Sequence, residues 1–133
     1  MSKDADRYEA IIEILEDLEE LSEDSVILVE GRKDVSALEN LGISGDIFTV
    51  QSSGGPIKAA EYVFEQGKNA VILTDWDSKG DIIASDLENQ LSALDVSFDR
   101  DIRERLAGQC RIDIKDVQAL DELVEKLSYA VQS

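Results

Sequence analysis

Two short apolar runs that end in carboxylates constrain this chain more than anything else in it: Val26-Ile27-Leu28-Val29-Glu30-Gly31 and Ala70-Val71-Ile72-Leu73-Thr74-Asp75-Trp76-Asp77. Neither alternates apolar with polar residues. Both are rich in β-branched residues and leucine, as strands covered on both faces are. Such strands belong to parallel sheets flanked by helices. If the runs are neighbours, Glu30, Asp75 and Asp77 meet at one sheet edge. Carboxylates so placed repel one another unless something positive lies between them. Magnesium, a hard cation that prefers oxygen ligands, is the simplest candidate, as one ion or two, with manganese able to substitute. Residues two apart just past a strand end tend to point the same way, so Asp75 and Asp77 face one cation while Trp76 turns aside, into packing rather than onto a base.

The remaining pattern supplies the helices. Residues 5–21 read as an amphipathic helix, with Ile11, Ile12, Leu15, Leu18 and Leu21 near helical spacing and Asp4 as a candidate cap. It is expected to cover one sheet edge, with partner binding as the alternative. Residues 32–41 form a second helix, stopped by Gly42. A strand over 47–50 follows, then the loop Gln51-Ser52-Ser53-Gly54-Gly55 and a helix over 56–66 opened by Pro56. After the strand over 70–73 come a loop over 75–80 and a helix over 81–94. A helix over 99–106, a short strand over 111–114 and a closing helix over 117–131 complete the reading. These elements predict a single α/β domain over 1–133, on a mainly parallel four-stranded sheet with helices on both faces and right-handed crossovers. Its parts are an N-terminal helix (1–22), a motif-bearing core (25–94) and a C-terminal helical cover (95–133). Ligands of such sheets bind beyond the carboxyl ends of the strands. The segments 30–31, 51–55 and 75–80 all lie there.

Charge narrows the chemistry. The chain carries 30 acids against 13 bases, a formal net charge of −17, and no histidine. An extended basic surface for nucleic acid is therefore not expected. The acidity suits a salt-rich cytoplasm or a solvated helical surface. Without histidine, acid–base work falls to carboxylates, lysine, tyrosine or metal-bound water. The single Cys110 has no partner for an internal disulfide, which points to an intracellular, cytoplasmic protein. The polar N-terminus predicts no signal peptide, and no apolar run approaches the roughly 18 residues of a membrane span.

Four of the scarce cations fall just after predicted strand ends: Arg32, Lys33, Lys58 and Lys79. Each lies near a predicted helix start, where positive charge opposes the helix dipole. That placement favours visiting polyanions over local stability, with ordinary surface bases as the plain alternative. Gly31 and the 51–55 loop add backbone N–H groups that suit phosphate oxygens. No phosphate-binding Gly-x-x-x-x-Gly-Lys-Ser/Thr loop occurs.

Residues 26–38, Val-Ile-Leu-Val-Glu-Gly-Arg-Lys-Asp-Val-Ser-Ala-Leu, followed by residues 71–80, Val-Ile-Leu-Thr-Asp-Trp-Asp-Ser-Lys-Gly, resemble the Toprim domain. That domain is shared by topoisomerases, bacterial primases, the 5S ribosomal RNA maturase nuclease, overcoming-lysogenization-defect nucleases and recombination-mediator proteins. The whole chain resembles the stand-alone archaeal small Toprim proteins. The resemblance implies a compact α/β fold. It also implies a glutamate at Glu30 that acts as general acid/base or metal ligand, and a magnesium-binding aspartate pair at Asp75 and Asp77. Tyr8, Tyr62 and Tyr129 all lie on predicted helices, which argues against topoisomerase chemistry.

Three functions follow as expectations. The first is a magnesium-dependent, nuclease-like protein acting on phosphodiesters, with Glu30 catalytic, Glu30, Asp75 and Asp77 on the metal, and Gly31, Lys33, Lys58 and Lys79 on phosphate. The second is a non-catalytic module that binds magnesium and nucleic acid, RNA or DNA, or docks a basic protein or ribonucleoprotein partner. The third is a phosphatase of the haloacid-dehalogenase type, with Asp75 as nucleophile; its motif, however, usually opens the domain rather than following a third strand.

Overall fold

The two apolar runs form the central pair of one parallel sheet, in a computed structural model that describes residues 3–132. In chain order the elements are α1 (Lys3–Leu21), β1 (Ser25–Val29), α2 (Arg32–Asn40), β2 (Ile47–Thr49), a 3-10 turn (Gln51–Ser53), α3 (Pro56–Gln66), β3 (Asn69–Ile72), α4 (Ser78–Ala93), β4 (Phe98–Asp99), α5 (Asp101–Cys110) and α6 (Leu120–Gln132). The strand order is β2-β1-β3-β4, and every pairing is parallel. Ile27 stands opposite Ile47 on one side and Val71 on the other.

Side-chain alternation divides the core in two. Ile27, Val29, Val71 and Leu73 point to a layer built from α1, α5, α6 and Leu38 of α2. Val26, Leu28, Ala70 and Ile72 point to the opposite layer, built from α3 and α4. Residues 26–29 and 70–73 are thus almost wholly buried, as their unbroken apolar runs require. Each fully buried Val, Ile or Leu contributes about 1.5–3 kcal/mol.

Several boundaries differ from the sequence reading, each for a local reason. α1 lies across a face of the sheet, not an edge, with Ile11 and Leu18 fully buried. Asp4 sits inside α1 and pairs with Arg7 at 3.4 Å rather than capping it. The segment 111–114 forms turns in place of a strand, because the N–H groups of Asp113 and Ile114 bond back to the Cys110 carbonyl. The fourth strand is Phe98–Asp99, and Asp99 then caps α5 by accepting the Ile102 N–H. α4 begins at Ser78, three residues before its expected start, because Asp77 caps it. α6 begins at Leu120, after a turn in which the Asp116 carboxylate accepts the Ala119 N–H.

The chain leaves β1 for β2 on one side and reaches β3 on the other. The crevice between the carboxyl ends of β1 and β3 is therefore the sheet's topological switch point, where ligands of such folds bind.

Candidate metal and phosphate site

Glu30 follows β1 directly and is 5% exposed. Its Oε2 accepts the Asp75 N–H at 2.8 Å, so the two strand ends are joined through a side chain. Four residues on, Asp34 is also 5% exposed. Its Oδ2 accepts the Gly31 N–H at 3.0 Å, which closes the first turn of α2. The Gln118 N–H supports the same carboxylate. Burial nevertheless pushes the Asp34 carboxyl above its usual range, and Glu30 and Asp116 add to the push.

Asp75 is half-buried just past β3. Its Oδ1 accepts the Val117 N–H at 3.0 Å. Desolvation raises its pKa from 3.8 to about 7; the Val117 bond opposes this, while the charges of Glu30, Asp34 and Asp116 add to it. Asp77 is the N-cap of α4, and its Oδ1 accepts the Gly80 N–H at 2.7 Å. Between the two aspartates Trp76 turns into the core at 4% exposure, where its indole N–H donates to the Ile114 carbonyl at 2.7 Å. It packs, and it offers no face to a base.

A buried guanidinium fixes the backbone here. Arg103, on α5, is 5% exposed. Its Nε donates to the Thr74 carbonyl at 3.0 Å, and its Nη2 donates to the Asp75 carbonyl and to Asp81 Oδ1, both at 2.6 Å. Gly80 is just as constrained: a Cβ there would stand 1.7 Å from the Asp75 carbonyl oxygen.

These residues surround an open cleft of about 380 Å³, lined by Glu30, Gly31, Arg32, Lys33, Asp34, Gln51, Asp75, Asp77, Lys79 and Gln118. The structure thus gathers Glu30, Asp75, Asp77, Gly31, Lys33 and Lys79 around one space. It does not bring Lys58 there: Lys58 is exposed on α3 and pairs with Glu61 at 3.7 Å. The 51–55 loop contributes Gln51 to the lining but not its glycines.

Sequence reasoning passed over Asp34, Arg103 and Gln118. Asp34 carried a readable sign, an acid three residues after the helix-opening Gly31, the spacing at which a side chain returns to the cap N–H. Arg103 and Gln118 arrive from distant elements and carry none.

The donor chemistry fits a hard cation, since the acids in the lining offer only oxygen. No three of the described acidic or sulfur side chains form a ready cage. An ion would take one or two carboxylates here and complete its shell with water and phosphate, as magnesium commonly does.

Fold and cleft together define an α/β protein of the Toprim class. The chain belongs to the Toprim domain family, whose signature matches residues 25–112. Toprim domains in general bind magnesium and serve metal-dependent functions on nucleic acid. Its archaeal relatives are UPF0292 proteins. That of Methanosarcina barkeri is 37% identical over 122 residues, 91% of this chain and 85% of the relative. That of Methanocaldococcus jannaschii is 28% identical over 119 residues, 90% of this chain and 93% of the relative. A solved structure, a putative protein from Aquifex aeolicus, shares the fold with a TM-score of 0.67 at 24% identity, covering 80% of this chain and 94% of that one. Among the described residues no helix is long and apolar enough to cross a membrane.

Proposed function

We propose that this protein performs magnesium-dependent phosphoryl chemistry on nucleic acid, in the manner of a nuclease. The observation that carries the reading is the cleft between β1 and β3, where four carboxylates and three cations line one space. Glu30, Asp75 and Asp77 are the carboxylates of which an ion would take one or two, and the bound ion would supply polarisation of a phosphoryl oxygen and neutralisation of developing charge. Lys33 and Lys79 place positive charge against the phosphate oxygens, with Arg32 beside them. Glu30 is buried and already bonded to the Asp75 N–H, so its second oxygen is held in one orientation and can take a proton from an attacking hydroxyl or water. Arg103 keeps the Thr74–Asp75 backbone still during these events.

A second reading, a non-catalytic module that binds magnesium and nucleic acid or docks a basic partner, is favoured by one observation. Glu30, Asp34, Asp75 and Asp77 each already hold a backbone N–H, and no three described acids stand as a ready cage. The two readings part in one experiment. Magnesium and manganese titration by calorimetry, on wild type and Asp75→Asn, is followed by cleavage of structured RNA and single-stranded DNA by wild type and Glu30→Gln. Metal binding lost in Asp75→Asn, with cleavage lost in Glu30→Gln, supports the enzyme. Metal binding without any cleavage supports the module.

A further inference from the structure

We propose that the cleft takes a terminal phosphate, that of a nucleotide or of a phosphorylated strand end, rather than an internal stretch of a long polymer. This rests on the reading of the cleft given above and names its substrate class.

The cations are the first observation. Of the 13 lysines and arginines, Arg7, Lys58, Arg100, Arg103 and Arg105 form ion pairs with the chain's own acids. The other eight form none among the described residues. Three of those eight, Arg32, Lys33 and Lys79, stand together in the cleft. The remaining five, Lys3, Lys68, Arg111, Lys115 and Lys126, line no part of it. Three of the eight unpaired cations thus share one small space, where a single phosphate can meet all of them.

The balance of charge inside that space is the second. Glu30, Asp34, Asp75 and Asp77 outnumber the three cations by one. A single divalent ion turns the excess to one positive charge. A terminal phosphate carries about −1.5 to −2 at neutral pH. One such group uses up the available charge, and a second phosphate finds none left in the cleft.

The rest of the molecule is the third. A duplex presents one negative charge per about 1.7 Å of axis, and proteins that grip it make several phosphate contacts at once. Past the cleft, each further phosphate would meet a surface that is part of a net charge of −17. At physiological salt the repulsion reaches about 8 Å. Higher salt screens it, but weakens multiple phosphate contacts as well, so a long polymer gains in neither regime.

The test is fluorescence anisotropy of the full chain in magnesium with single-stranded DNA and RNA of about 4 and about 24 nucleotides, labelled internally. Each carries a 5′-phosphate, a 3′-phosphate or only hydroxyl ends, and nucleoside 5′-monophosphate serves as competitor. The expected result is at least about a tenfold loss of affinity on removing the end phosphate at both lengths, less than about a threefold change with length, and a salt slope near two or below. Affinity that rises with length whatever the ends, or a slope of about five, overturns the proposal, as does failure to bind any of the strands. The 5′ and 3′ arms identify which end is taken, and the competitor shows whether a free nucleotide suffices. Lys79→Ala should reduce the preference for phosphorylated ends. Asp75→Asn separates this proposal from the metal reading. Magnesium binding lost in that variant, without end preference in the wild type, leaves the metal reading standing and removes this one. End preference that ignores both magnesium and Asp75→Asn does the reverse.

Discussion

The carboxylate of Glu30 accepts the backbone N–H of Asp75 at 2.8 Å, across a gap of 45 residues in the chain. One acid thereby fixes where the next begins, and two strand ends become one site. The geometry at this junction sets the behaviour of the residues around it.

Asp75 gives the molecule a pH signature. Its folded pKa, about 7, lies above the ordinary 3.8, so between those values the folded state binds more protons than the unfolded one. Stability from this group is present at low pH, falls as pH rises from about 4 to about 7 and is flat above. In metal-free buffer, thermal midpoints of Asp75→Asn should lack that decline and exceed wild type at pH 8. The Asn side-chain oxygen keeps the Val117 bond. A wild-type midpoint unchanged across that range would contradict the buried, crowded setting described for Asp75.

Gly80 admits no side chain. A Cβ 1.7 Å from the Asp75 carbonyl oxygen must push α4 away from the end of β3, and the contact is with backbone, which yields little. Gly80→Ala should lose about 3 kcal/mol or more, the range of severe packing faults. Urea unfolding monitored by circular dichroism measures it. A loss below about 1 kcal/mol would mean that the turn relaxes freely.

Arg103 separates arginine from lysine. Its fork reaches two carbonyls and one carboxylate, which a single ammonium on a flexible stem cannot reproduce. Arg103→Ala leaves the buried Thr74 carbonyl without this donor and should cost about 2 kcal/mol. Arg103→Lys should recover less than half of it. The carboxylate bond adds little, since Asp81 is well exposed. Full recovery by lysine, in the same urea titration, would show that charge alone matters here.

Asp77 caps α4 and, on the proposed reading, also holds the metal, two roles that substitutions can part. Asp77→Ala removes the cap on Gly80 and should cost about 1 kcal/mol. Asp77→Asn keeps an oxygen for that bond and removes only the charge, so stability should hold while magnesium affinity drops. Calorimetry beside thermal unfolding reads both. Equal stability of the two variants would remove the capping role.

Cys110 should be inert. It is fully buried, and its thiol pKa is pushed up to about 11 by that burial, so the reactive thiolate is scarce at pH 8. A thiol-specific chromogenic reagent should label it slowly in the native protein and at once in denaturant. Rapid native labelling would show that α5 opens easily.

The sheet and the acids at its strand ends were legible because their signals are local. The unbroken apolar runs over 26–29 and 70–73 announced strands buried on both faces, and the carboxylates follow them directly. α3 was read to the residue because Pro56 and Gly67 mark its two ends. The C-terminal third resisted. Phe98–Asp99 is too short for any period, and the alternation Arg111-Ile112-Asp113-Ile114 imitates a strand although Ile112 is 92% exposed. Lys58 misled because helix phase, set by Gly54 and Gly55 at positive φ, turns it toward Glu61 and away from the cleft. Val117, Gln118 and Arg103 reach the acids through tertiary packing, which one-dimensional spacing does not encode.

The segment joining α5 to α6 bears on how little chain can keep this cleft intact. Ile114 and Lys115 offer their carbonyls to Trp76, and Val117 offers its N–H to Asp75. These three residues lie past 112, where the family signature stops, and α1, which covers one sheet face, lies before 25, where it starts. A fragment trimmed to the signature would keep every acid of the cleft, yet lose the clasp that aims Asp75 and two of the helices, α1 and α6, that cover one sheet face. The signature spans the acids of the cleft; the stretch of chain that holds them in place is longer than the signature.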